Sequence, residues 1–262
     1  MITTTNLQIY IDASDSSSYP GSGSTWFDLS PNNYDLITSN SSWSYTAKNT
    51  TPNPLGWTNP AYFSSASGNN ARSTTSGSVN NIKFTNSGTI GGWFYNDNAY
   101  GVPLSFPYPG NFPSYWYQTF ANKPGFNFLV DNTFRNWDPG GSILNLQWFN
   151  WSIDFNNGIA DLYINGAYVS SNNQSAFGSS IVYTANQLVI GDIDNSGASF
   201  PFVGRIGEFY IYDQSIGAIG VSNNFNNTRY KYDGNYAPPT PPTPPAYAGL
   251  VGGRTFGQGF AG

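Results

Sequence analysis

Trp148-Phe149-Asn150-Trp151-Ser152-Ile153-Asp154-Phe155, then Asn156-Asn157-Gly158, then Ile159-Ala160-Asp161-Leu162-Tyr163-Ile164, then Asn165-Gly166 and Ala167-Tyr168-Val169, is the stretch that decides the fold. Trp148, Ser152, Ile153 and Phe155 mark one strand and Ala160 to Ile164 the next, and Asn-Gly supplies the positive φ that a tight hairpin requires. The second pair, Asn165-Gly166, turns the chain again and makes a meander. The same alternation recurs along the chain: Leu7, Ile9 and Ile11 around Gln8 and Tyr10, Leu188 and Ile190 around Val189, Phe209 and Ile211 around Tyr210 and Tyr212. Each segment reads as a strand with one face on a core, so the class is all-β. Only Ser215 to Tyr230 has helical spacing, and Gly217 and Gly220 each weaken it by about 1 kcal/mol relative to Ala.

The side-chain inventory narrows the function. Among 262 residues there is no histidine, no cysteine and one glutamate, Glu208, whereas 18% are aromatic. Histidine is the usual general base, cysteine the strongest side-chain nucleophile, and paired carboxylates the usual glycosidase machinery. Asp154 and Asp161 are the nearest approach to such a pair, and hairpin alternation does not convincingly bring them together. The expectation is a protein that is not an enzyme. A net charge of −5 is the wrong sign for binding phosphates, so no nucleic-acid partner is expected. After Met1 there is no basic n-region or unbroken apolar h-region, and no run approaches the roughly 18 apolar residues of a membrane span. Neither a secretion signal nor a membrane partner is expected, and deployment outside a cell would need another route, such as assembly into a virus particle.

At Ala237 the composition changes abruptly. Pro238 to Pro245 read Pro-Pro-Thr-Pro-Pro-Thr-Pro-Pro, a polyproline II spacer of roughly 25 Å at about 3.1 Å per residue. The tail beyond is rich in Gly and aromatic residues. The expected organisation is a β-domain over residues 1–232, a linker over 233–245 and a docking tail over 246–262, with Tyr247, Leu250, Phe256 and Phe260 as apolar anchors that order on a partner.

Several motifs carry a family resemblance. Leu7-x-Ile9-x-Ile11-Asp12-Ala13 with Ser18-Tyr19-Pro20-Gly21 and Trp26-Phe27-Asp28-Leu29-Ser30, then Thr89-Ile90-Gly91-Gly92-Trp93-Phe94, Asp161-Leu162-Tyr163-Ile164-Asn165-Gly166, Phe202-Val203-Gly204-Arg205-Ile206-Gly207-Glu208-Phe209-Tyr210-Ile211-Tyr212 and Asn223 to Tyr230 follow one another in order. Together they resemble concanavalin A-like lectin domains of the laminin-G-like type, frequent in phage structural proteins. The resemblance spans about residues 5 to 232. It implies two curved antiparallel sheets in a jelly-roll β-sandwich, here with an extended Pro-rich C-terminal arm, and it makes Glu208 a framework residue. Glucanases of the broad fold carry closely spaced glutamates that this chain lacks. Gly101 to Gly141 departs from the family pattern and reads as individual loops.

Three places are candidates for binding. In Ile90 to Tyr95 alternation puts Trp93 and Tyr95 on one face, and since both faces cannot be deep core, they form either a sugar-stacking platform or a second aromatic cluster under a loop. Tyr108, Phe112, Tyr115, Trp116 and Tyr117 lie among Pro103, Pro107, Pro109 and Pro113, where strands are not expected, and offer a ligand platform, a subunit contact or packing. Asp192-Ile193-Asp194-Asn195-Ser196-Gly197 spaces oxygen ligands as a Ca²⁺ loop does, or forms an Asx-rich turn.

Two functions follow. One is a virion structural protein, a capsid decoration or fibre protein, that displays the lectin-like domain at the virion surface and attaches to other virion proteins through its arm, as an oligomer or part of a larger assembly. The other is a carbohydrate- or receptor-binding module that recognises a cell-surface glycan.

Overall fold

The computed structural model describes residues 2–38, 43–48, 60–65, 73–75, 87–97, 100–107, 113–120, 123–130, 133–137, 146–157, 159–173, 188–192 and 202–234. In chain order the strands are β1 (Leu7–Asp12), β2 (Thr25–Trp26), β3 (Leu36–Thr38), β4 (Trp43–Thr46), β5 (Tyr62–Ser65), β6 (Ser73–Thr75), β7 (Ser87–Asn96) and β8 (Tyr100–Pro107). They continue as β9 (Pro113–Phe120), β10 (Lys123–Val130), β11 (Thr133–Trp137), β12 (Trp148–Asn156), β13 (Ile159–Ile164), β14 (Ala167–Asn173), β15 (Val189–Ile190) and β16 (Gly204–Tyr212). Among the described residues one helix, α1 (Gly217–Thr228), follows and runs into a 3₁₀ turn at Arg229–Lys231.

The strands form two antiparallel sheets. The first has the order β14-β13-β12-β7-β16-β5-β4, with β1 also paired to β16, and the second has the order β11-β10-β9-β8-β15-β6-β3-β2. The meander read from the two Asn-Gly turns is β12-β13-β14. Asn157, Asn165 and Gly166 all take positive φ, at 49°, 51° and 72°, as tight hairpin turns demand.

Alternation delivers a row of side chains from each sheet to the space between them. Ile9, Ile11, Ile90, Phe94, Trp151, Ile153, Leu162, Phe209 and Ile211 from the first sheet meet Trp26, Leu36, Leu104 and Ile190 from the second in one cluster. Trp26 stacks on Phe63 across the gap, with centroids 3.5 Å apart. Each fully buried apolar side chain of this size contributes roughly 1.5–3 kcal/mol.

Two sequence expectations are corrected here. Both faces of β7 are buried from Gly88 to Phe94, because the outward row of Thr89, Gly91 and Trp93 lies beneath α1 and the turn that follows it. The region from 101 on contains four strands where loops were expected. Prolines are tolerated there because the β8–β9 ladder is irregular where they fall, between Gly101 and Leu104 around Pro103 and between Phe106 and Pro107. The Pro103 carbonyl still accepts a bond from the Gly191 N–H at 2.9 Å.

α1 has poor intrinsic propensity, with two glycines and four asparagines in twelve residues, so its anchors are tertiary. At its N-terminus the Asp154 carboxylate on β12 accepts bonds from Thr89 Oγ1 (2.5 Å), Ser215 Oγ (2.6 Å), Ile216 N (3.0 Å) and Gly217 N (3.3 Å). A cap normally made by the preceding residue is supplied from the sheet. Farther along, buried Asn224 accepts from Thr3 N and donates to Tyr212 Oη, both at 2.9 Å, which ties the helix to the N-terminal segment.

Candidate functional site

The outward face of the first sheet is built in rows. Register places Asp12 opposite Glu208, Glu208 opposite Trp93 and Trp93 opposite Asn150. The next row is Tyr10, Tyr210, Gly91 and Ser152, and there Tyr210 Oη and Ser152 Oγ share a hydrogen bond of 2.9 Å. Burial pushes the Tyr210 hydroxyl up to about 12, with Ser152 pulling the other way.

Trp93 is plugged into this layer. It is 3% exposed, its indole N–H donates to Thr228 Oγ1 at 2.8 Å, and its ring stacks on Tyr232 at 4.6 Å and Phe225 at 5.6 Å. It offers no open face to a sugar, so of the two readings of Trp93 the stacking platform is corrected and the aromatic cluster stands, covered by α1 and Tyr232 rather than by a loop. The covering helix lies more than a hundred residues downstream, where alternation within β7 gives no hint of it.

Tyr95, two residues along the same face, lies beyond the helix. Arg205 sits directly opposite it on β16 and Trp148 directly opposite it on β12. The Arg205 guanidinium lies 4.1 Å from the Tyr95 ring centroid and 5.1 Å from that of Tyr62 on β5, so one cation is held between two rings. Trp148 packs at 5.7 Å on Tyr95, 5.9 Å on Tyr62 and 4.9 Å on Tyr232. Asp97 reaches Arg205 at 3.7 Å, with the two side chains 31% and 32% exposed. Four adjacent strands thus present a half-exposed row of rings, a guanidinium and a carboxylate. Ring faces can stack on the apolar face of a sugar while the guanidinium donates to hydroxyls and the carboxylate accepts from them. Of this row only Tyr95 was picked out from sequence; Tyr62, Trp148 and Arg205 join it through pairings between segments distant in the chain.

The other sequence candidates fall elsewhere. Tyr115 and Trp116 lie on β9 of the second sheet, opposite Phe128 and Asn127 of β10. They are therefore on a different sheet from Tyr95. Asp192 is buried and its main-chain carbonyl accepts from Ser105 Oγ at 2.7 Å. Asp194 and Asn195 lie outside the described residues, as do Tyr247, Leu250, Phe256 and Phe260.

Two carboxylate pairs do come together. Asp154 and Asp161 are direct partners across the β12–β13 hairpin, contrary to the sequence reading, because the two-residue turn sets Asn156 against Ile159 and so 154 against 161. Asp154 is occupied by the α1 cap, and Asp161 accepts from Ser171 Oγ. The second pair is Asp12 and Glu208, where Lys231 Nζ donates to Asp12 Oδ2 at 2.6 Å and to Glu208 Oε2 at 2.7 Å. Glu208 is fully buried, and its burial raises the carboxyl pKa while Lys231 lowers it. Burial pulls the Lys231 ammonium down, but the two carboxylates outweigh it and hold it above the ordinary lysine value.

Two antiparallel sheets packed face to face, with a helix laid over one outer face, form a jelly-roll β-sandwich of the concanavalin A-like class. The family model described as the concanavalin A-like lectin/glucanases superfamily, of the third laminin-G type, matches residues 66–221, and the chain belongs to that superfamily. No curated protein sequence matches the chain. Among solved structures, it is similar to the botulinum neurotoxin serotype D binding domain, with 14% identity, a TM-score of 0.59, and coverage of 86% of this chain and 52% of that one. The binding domain of Paraclostridial Mosquitocidal Protein 1 gives 14%, 0.61, 85% and 52%. Domain 4 of AbnA, a GH43 extracellular arabinanase from Geobacillus stearothermophilus solved in complex with arabinotriose, gives 13%, 0.59, 84% and 98%. The chain spans about half the length of the toxin binding domains, and these likenesses concern the fold.

Proposed function

We propose that this chain is a non-enzymatic, glycan-binding display module whose ligand stacks on Tyr62, Tyr95 and Trp148 beside Arg205 and Asp97. The observation that carries the reading is that half-exposed row, on a sheet face otherwise plugged by α1. The arabinotriose complex of the AbnA domain and the two gangliosides named for botulinum neurotoxin type C support a sugar as the ligand class. The engagement of both carboxylate pairs in internal bonds supports a role without catalysis. The test is a glycan array followed by calorimetry on the best hit. Trp148→Ala or Tyr95→Ala should weaken binding at least about tenfold, since one ring contact is worth about 0.5–1.5 kcal/mol beyond its buried area. A silent array, unchanged binding in both variants, or release of reducing ends would refute it.

The setting that fits the Pro-rich arm and the low charge is a virion, with the domain outward as a decoration or fibre protein and the arm on other virion proteins. Tyr247, Leu250, Phe256 and Phe260 are the proposed anchors. Particles that incorporate a chain ending at Gly234 as well as the full chain would remove the arm from that role.

A further inference from the structure

The Asp12–Lys231–Glu208 cluster is assembled from three separate parts of the chain: the end of β1, the middle of β16 and the 3₁₀ turn after α1. It is largely shielded from solvent, with side-chain exposures of 7%, 15% and 0%. Each polar atom has a distinct relation to the Asp12 carboxyl. Lys231 Nζ sits 2.6 Å from Oδ2. The Ser14 N–H donates to Oδ1 at 2.8 Å. Tyr10 Oη lies 3.1 Å from Asp12 Oδ2 and 3.4 Å from Glu208 Oε2, bridging the two acids. Glu208 Oε1 has no hydrogen-bond partner among the described residues. An amine against a carboxyl, a second acid touching that amine, and a main-chain donor on the opposite carboxyl oxygen are the parts an amide-forming site requires.

We infer that Lys231 and Asp12 condense spontaneously into a side-chain amide, with Glu208 as the proton-transfer group, so that the first strand is covalently joined to the end of the domain. Glu208 takes a proton from the Lys231 ammonium through the 2.7 Å contact and passes it through Tyr10 Oη to Asp12 Oδ2, and the neutral amine attacks Cγ of the now neutral acid. Negative charge gathers on Oδ1, where the Ser14 N–H receives it. The C–Oδ2 bond breaks as Glu208 carries a second amine proton through Tyr10 Oη to the Oδ2 hydroxyl, which departs as water. The ammonium and the carboxylate become one amide and one water, with no other reactant. Burial supplies the driving force, because a buried ion pair bears the desolvation of two charges and a neutral amide bears neither, and Glu208, left without its ammonium, takes up a proton from solvent as its burial favours. The carboxyl pKa of Glu208, raised by burial, suits a group that must hold a proton and release it.

The measurement is the intact mass of the purified full chain, followed by peptide sequencing. The chain should be lighter than its sequence by one water, and a digest should contain a branched peptide joining the segment around Asp12 to that around Lys231. Lys231→Arg should be at full mass, and Glu208→Gln, with folding verified by near-ultraviolet circular dichroism, should form the branched peptide at least about tenfold more slowly. The branched peptide decides the matter, since Asp233-Gly234 can also lose water locally. A folded wild-type chain at full mass without the branched peptide overturns the inference, and so does wild-type cross-linking in Glu208→Gln.

Discussion

Replacing Asp154 by Ala tests how the helix is held on the sheet. The carboxylate accepts four bonds, two of them from main-chain N–H groups at the start of α1. Losing a helix N-cap costs about 0.5–2 kcal/mol, and leaving a buried donor unpaired costs about 1–3 kcal/mol more. Fallbacks reduce the second figure: the Ile216 N–H also reaches Thr89 Oγ1 at 3.1 Å, Gly217 N–H reaches Ser215 Oγ at 3.2 Å, and Thr89 can turn to the Gln214 carbonyl at 3.3 Å. Removing a charge opposite Asp161 returns about 0.2–1 kcal/mol. The net expectation for Asp154→Ala is a loss of roughly 2–3 kcal/mol. Asp154→Asn keeps an acceptor and loses mainly the charge at the helix N-terminus, about 1 kcal/mol. Guanidinium unfolding followed by tryptophan fluorescence gives both numbers, and limited trypsin digestion at Arg229 reports whether α1 lifts first. An Ala variant within about 0.5 kcal/mol of wild type, or an Asn variant as weak as Ala, would refute the sheet-supplied cap.

Gly91→Ala should destabilise by more than a typical core substitution, because a Cβ there lies 2.4 Å from Ser152 Oγ and 2.8 Å from both Tyr210 Cε2 and the Trp151 carbonyl; a wild-type unfolding midpoint would contradict the close approach. Trp93→Phe removes the indole donor to buried Thr228 and should cost roughly 1–3 kcal/mol while leaving glycan binding intact, which calorimetry on the same sample checks. Stability should also fall in alkali. Burial raises the pKa of Tyr10, Tyr210, Tyr212 and Tyr232, so the native state keeps protons that the unfolded state gives up. That contribution is complete below pH 10 and is lost as pH rises toward about 12, the value for Tyr210. Phenolate absorbance should appear together with unfolding, and full titration near pH 10 in a folded protein would count against it.

Much of the first sheet was legible because its signals are local. Asn157 and Asn165-Gly166 name their own turns, and Phe209 and Ile211 alternate cleanly with Tyr210 and Tyr212. The opposition of Asp154 and Asp161 was also in the sequence, since counting outward from a two-residue turn gives it. What failed was non-local. Alternation places Trp93 on a face without saying what covers it, and the cover is Phe225, Thr228 and Tyr232. Prolines in β8 and β9 suppressed the strand reading, because the bulges that admit them form only in the paired sheet. The Tyr62–Arg205–Tyr95–Trp148 row needs the register of four strands drawn from four parts of the chain.

The pairing of β1 with β16 sets a timetable for the nascent chain. Asp12 waits for Glu208, so Ile9 and Ile11 leave the ribosome with no partner strand until almost the entire domain has been made, roughly 10–40 s at about 5–20 residues per second. Contacts of such long range slow folding and leave an apolar edge open to other chains in the interval. An amide between Asp12 and Lys231 can close only once both ends have arrived. It would therefore mark the molecules that completed this journey, and bar them from reopening at the strand that was last to find its place.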